Sequence, residues 1–241
     1  MFDKRKSILD FDIRILNRFN LSEALLFVGT FTSIFWSVYF ALVTIYFPHQ
    51  IFWNEGTAQV QTWFFLRGEN PFILENQPFG MNNYGLGYSL AVLPFAALFG
   101  NTLLVHRSVT FVFIILSALA GFFTVYRLGK NKLLGLACAA FIMIGLITGQ
   151  GISAFPSATG TFLFLMAILV PFARDFDAKS LFVSILASFT AFYTKPYFVL
   201  SFGIVASYLF IFVSKKKGLF YGLFFTLVLM TLLLIFKYIF P

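Results

Sequence analysis

Residues 133–173 contain no charged side chain. A helix needs about 20 apolar residues to cross the hydrocarbon core of a bilayer, so this interval is long enough for two crossings. The turn between them falls near "SAFPSATG" at 153–160. Further apolar runs over 24–47, 104–126 and 218–238 fit one crossing each. Lys195-Pro196 divides 180–214 into two more, because proline removes a backbone donor and keeps the residue before it out of helical geometry. Composition points the same way: 60% of the 241 residues are hydrophobic and 11% are charged. An ordinary soluble domain is about 45–50% apolar and about 25% charged. A water-soluble fold of this length would leave much of its 37 Phe in exposed patches. The expected class is therefore all-α: a polytopic transmembrane helix bundle of about seven spans, forming a single integral membrane domain over 1–241.

The basic residues set the expected orientation. If 84–100, "YGLGYSLAVLPFAALFG", lies on the membrane surface, one side receives Lys4, Arg5, Lys6, Arg14 and Arg18, then Arg127, Lys130 and Lys132, then Arg174 and Lys179, then Lys215, Lys216 and Lys217. That is thirteen of the seventeen Lys and Arg, leaving Arg67, Arg107, Lys195 and Lys237. If 84–100 spanned, the later clusters would fall outside, against the positive-inside rule. The expectation is a multi-pass protein of the cytoplasmic membrane, with residues 1–23 inside, 24–47 as first span, 48–103 as an external loop with surface helices, and six further spans over 104–238. The early apolar run lacks an Ala-x-Ala-like cleavage site and reads as a retained span. Within the loop, Thr57 to Leu66 reads as an amphipathic helix turning Val60, Trp63, Phe64 and Phe65 to the interface, stopped by Gly68 and Asn70-Pro71. Gly80, Gly85 and Gly87 then give flexible backbone before the second surface helix.

Few residues in such a chain can carry chemistry. A single cysteine, Cys138, excludes a disulfide framework and a cysteine-based metal site. His49 and His106 lack ligand spacing and read as interfacial or packed histidines. Glu55 follows the first span and opens a helix, where it serves either as a carboxylate favoured by the helix dipole or as a general base at the membrane surface. Lys195, between two apolar spans, either snorkels to the headgroups or meets a phosphate. Arg107, near the start of its span, has the same two readings, and Arg67 is either a solvated loop charge or a third cation. A carboxylate and cations at one membrane face are what sugar transfer from a lipid phosphate requires: a base for the nucleophile and positive charge for the departing phosphate. "YGLGYS" at 84–89 holds Gly-x-Gly but follows no strand, so a dinucleotide site is not expected.

Taken in order, "WNEG" at 53–56, "RGENPF" at 67–72, "YGLGY" at 84–88, "VHRSVTFVF" at 105–113, "FPSATGTFLFLMAIL" at 155–169 and "YTKPYF" at 193–198 resemble the GT-C superfamily of polyprenyl-phosphate-sugar-dependent membrane glycosyltransferases, which includes protein O-mannosyltransferases and lipid A aminoarabinose transferases. The resemblance implies an inverting transfer of a sugar from a polyprenyl-phosphate donor to an acceptor hydroxyl at the external face, in cell-envelope glycan or glycolipid assembly. Family members open the first external loop with an Asp-Glu pair that supplies the base. Here Asn54-Glu55 occupies it, so the catalytic role falls on Glu55. The "TKP" lysine implied near the lipid phosphate is Lys195, and Asn54, Arg67, Glu69, Tyr84 and Arg107 fall around the substrates. Relatives often carry an acid after the proline that opens a later span, where this chain has Ser157 after Pro156. They also continue for several more spans, so the chain resembles the shared seven-span half, as a fragment, a truncated product or one part of a split enzyme. The expected partners are a lipid-linked sugar donor, a glycan, lipid or protein acceptor, and membrane lipid, with no nucleic acid. No cofactor is required, although some relatives use a divalent metal. A transporter or flippase of lipid-linked sugars and a non-catalytic subunit are the alternatives.

Overall fold

The computed structural model describes residues 20–76 and 84–239. The basic residues Lys4, Arg5, Lys6, Arg14 and Arg18, and also Gly80, lie outside them. Nine α-helices make up the described fold: α1 (Leu21–Tyr46), α2 (Glu55–Leu66), α3 (Gly87–Phe99), α4 (Leu103–Gly129), α5 (Lys132–Gln150), α6 (Ser157–Ala173), α7 (Ala178–Phe192), α8 (Leu200–Tyr208) and α9 (Lys215–Ile239). A 3-10 turn, Pro196–Val199, leads into α8, and a π turn, Leu209–Val213, ends it. Among the described residues there is no strand, and five helical stretches are long and apolar enough to cross a membrane: Leu21–Tyr46, Leu103–Gly129, Lys132–Gly149, Pro196–Val213 and Lys215–Ile235. Three shorter apolar helices remain, α3, α6 and α7, of which α6 and α7 fall where the sequence leads to spans. The protein is an all-α polytopic bundle of the membrane type.

Each boundary has a local cause. Thr102 accepts a hydrogen bond from the Val105 amide at the start of α4, and Asn131 accepts from Leu133 and Leu134 at the start of α5. Asp177 does the same for Ser180 at the start of α7. Lys195 is extended, at φ −148° and ψ 129°, as a residue before proline must be, and this separates α7 from α8. The α3 helix has 13 residues, which reach about 20 Å and fall short of a bilayer core of about 30 Å. By the same measure α6, with 17 residues, and α7, with 15, are also short.

The helices pack in sequence order, α4 on α5 and α6 on α7, with α1 against α5. An aromatic stack joins α7, α8 and α9: Phe202 and Phe225 lie 3.9 Å apart, and Phe189 and Phe225 4.5 Å apart. Two ends result from the alternation. The loop end gathers residues 47–76, 84–102, 151–156 and 193–195, and the basic end gathers 130–131, 174–177 and 214 with their flanking cations.

The loop helix α2 differs from expectation in what it hides. It begins at Glu55 and buries Glu55, Ala58, Gln61, Thr62 and Phe64, while Trp63 stays exposed. Its inward face is largely polar because it packs on α3 and α4 through hydrogen bonds. Ser89 donates to Gln61 at 2.8 Å, and Gln59 and Asn101 exchange side-chain-to-backbone bonds. Asn101 also meets His106 Nε2 at 2.8 Å, so His106 is a packed, hydrogen-bonded histidine.

Candidate functional site

Glu55 and Arg107, 52 residues apart in sequence, form a fully buried ion pair at 2.7 Å, with neither side chain exposed. Glu55 Oε1 accepts from Arg107 Nε at 2.9 Å and from the Ala154 amide at 3.0 Å. Its Oε2 accepts from Arg107 Nη2 and from the Ile51 amide at 2.8 Å. Arg107 sends its other N–H groups to the carbonyls of Thr44, Phe47 and His49. All five guanidinium donors are thereby used. One ion pair ties together the end of α1, the start of α2, the start of α4 and the 151–156 loop. Burial raises the Glu55 carboxyl pKa, but the hydrogen bonds from Arg107, Ile51 and Ala154 and the Arg107 charge outweigh it and hold the group below its ordinary value.

Lys195 has a different environment. It is 6% exposed, and among the described residues the one hydrogen bond of its ammonium goes to Ser157 Oγ. No carboxylate pairs with it among the described residues. Aromatic rings surround the ammonium instead: Phe155 with its centroid at 3.8 Å, Tyr84 at 4.6 Å and Tyr197 at 5.7 Å. Such rings attract a cation through their quadrupoles without neutralising it. Tyr84 and Phe155 pack edge to face at 4.7 Å.

Three of the sequence motifs therefore converge on one ammonium: "YGLGY" supplies Tyr84, "FPSATG" supplies Phe155 and Ser157, and "YTKPYF" supplies Lys195 and Tyr197. The approach of the first to the third requires glycine. The Gly87 amide donates to the Tyr193 carbonyl at 2.8 Å, and a Cβ on Gly85 would stand 2.0 Å from that same oxygen. Glu55 joins this arrangement indirectly, since it holds the Ala154 amide and Phe155 follows directly.

The other expected site residues divide. Asn54 precedes α2, and its buried Oδ1 has no hydrogen-bond partner among the described residues. Arg67 and Glu69 pair with each other at 2.8 Å in the open, Arg67 stacks 4.5 Å over Trp63, and both line a separate cavity of about 720 Å³ with Trp63 and Asn101. Sequence reasoning missed the cage residues Phe155 and Tyr197 and the pairing of Arg107 with Glu55. A signal existed for the pair: an arginine at the head of an apolar helix requires a counter-charge, and Glu55 is the first acid after the preceding span. Among the described residues no three His, Cys, Asp or Glu side chains come together to hold a metal ion.

Fold and site define a class, the helical membrane bundle with internal charge at one end. Comparison with protein families, curated proteins and solved structures found no match for the chain.

Proposed function

We propose that the chain is a membrane glycosyltransferase of the GT-C kind, taking a polyprenyl-phosphate sugar at the loop end of the bundle. The observation that carries this reading is Lys195: a buried ammonium with no counter-ion among the described residues, where three separate motifs meet. A cation held this way is uncompensated until an anion arrives, and a compact ammonium suits a phosphate. Arg107 is not that cation, because its donors are already spent. Lys195 receives the lipid phosphate, and the unpartnered Asn54 Oδ1 accepts from a substrate hydroxyl. In the transfer, an acceptor oxygen forms a bond to the anomeric carbon, with inversion, and the bond from that carbon to the phosphate oxygen breaks. The phosphate leaves with the electron pair, stabilised by Lys195, and the acceptor proton passes to Glu55. Because Glu55 Oε1 already accepts two hydrogen bonds and Oε2 three, an acceptor must displace one of them before Glu55 can take the proton. The loop end faces outward in this reading, following the basic residues at the opposite end.

The occupancy of Glu55 also favours a second reading, a donor-binding subunit that performs no transfer itself. Sugar transfer from a polyprenyl-phosphate donor by the purified full chain separates the two. The enzyme reading expects transfer by the natural chain and a loss of about 10²–10⁴-fold in Glu55→Gln with donor binding retained. Donor binding without transfer leaves only the subunit reading, and absence of donor binding removes both.

A further inference from the structure

The basic end holds a cavity of about 560 Å³ between the ends of α4, α6 and α8. Aromatic side chains form its walls, among them Phe172, Phe176 and Tyr208, and Arg127, Lys130 and Asp175 supply its charge. Phe176 stacks on Tyr208 with the centroids 5.1 Å apart.

The backbone singles out the same place. Lys130, Asp175 and Phe176 have φ of 53°, 50° and 57°, and among the described residues they are the non-glycine positions with positive φ. All three line this one cavity. At the loop end the corresponding conformations fall to Gly68, Gly100 and Gly151. Gly129 is adjacent to the α4 cap yet stays helical, and Lys130 takes the left-handed position. Left-handed conformations of bulky or charged residues persist only where their surroundings hold them, and they cluster at binding sites. Arg127, Lys130 and Asp175 form no ion pair among the described residues. Two cations and one carboxylate thus share a cavity without neutralising one another.

We propose that this cavity binds the phosphodiester headgroup of a membrane phospholipid, with Arg127 and Lys130 on the phosphate and the aromatic walls along the glycerol and first methylenes. Its position at the end of α4, a helix long enough to span, is the level at which headgroups lie. Basic pockets between transmembrane helices recognise lipid headgroups through the same combination of charge and depth. Two cations less one carboxylate leave a single positive charge, which a phosphodiester monoanion compensates, and the aromatic walls add the apolar contact that inorganic phosphate cannot make. Asp175 accepts from a headgroup hydroxyl or amine.

The full chain in maltoside micelles, titrated with phosphatidylglycerol and read by native mass spectrometry, tests this site. Each cation near an anionic headgroup is worth about a factor of five, so Arg127→Gln with Lys130→Gln weakens binding at least tenfold. Lys215→Gln with Lys216→Gln, the same charge change elsewhere at the basic end, leaves binding unchanged. The charge-preserving Arg127→Lys with Lys130→Arg retains it, which excludes misfolding as the cause. Equal loss in both glutamine pairs would mean a diffuse basic surface and overturn the site, as would no loss in either. Displacement of the lipid by excess inorganic phosphate would overturn the lipid assignment.

Discussion

The two ends of the bundle treat charge in opposite ways. At the loop end, Glu55, Arg107 and Lys195 are buried, the first two saturated by hydrogen bonds and the third enclosed by aromatic rings. At the basic end the charges stay at the surface, and the one ion pair among the described residues there, Arg174 with Asp177, leaves its side chains 58% and 42% exposed. Buried charge requires specific partners, because losing one leaves the other uncompensated in a low-dielectric surrounding. Surface charge does not, since water and headgroups screen it. The loop end is therefore specified residue by residue, whereas at the basic end the exposed charges outside the Arg127–Lys130 cavity act mainly through their sum.

Substitutions should divide along the same line. The largest effect is expected at Arg107→Met, which removes the clamp on α1, α2 and the 151–156 loop and strands Glu55. A loss of about 3–5 kcal/mol in stability follows for a broken buried pair, read as a fall in thermal unfolding temperature in detergent. Adding Glu55→Gln should recover part of it, and no recovery would mean that the clamp acts through shape alone. A smaller loss, about 1–3 kcal/mol, is expected for Gly85→Ala, whose new Cβ meets the Tyr193 carbonyl. This variant should also lose donor binding, because the Tyr84 side of the cage moves with it. The smallest effect belongs to Arg174→Ala at the other end, within about 0.2–1 kcal/mol. A large loss there would erase the distinction between the ends.

Much of the fold was legible because helix boundaries and spans are written locally. The uncharged interval 133–173, the Lys195-Pro196 break and the short 84–100 segment each gave an element in its observed place. The sequence also separated the two ends through its basic clusters. The pairing of Glu55 with Arg107 was not legible, since each residue satisfied a plausible local role and only the packing of α2 against α4 brings them together. The cage around Lys195 was hidden for a similar reason. Phe155 and Tyr84 look like two more aromatic residues in a chain rich in them, and their place around Lys195 comes from a close approach that Gly85 and Gly87 permit. The polar inward face of α2 went unread because its apolar residues suggested a lipid contact, while its amides and hydroxyls had partners in distant helices.

The most direct measurement is the affinity of the purified full chain for a polyprenyl-phosphate sugar, compared between the natural protein and Lys195→Met. Methionine keeps an unbranched side chain among the rings, so folding should be preserved. The account predicts a fall in affinity of about tenfold or more, the scale of one lost charge-assisted contact to phosphate. Equal affinity in a folded Lys195→Met protein would contradict it and leave Lys195 as a cation packed against aromatic rings.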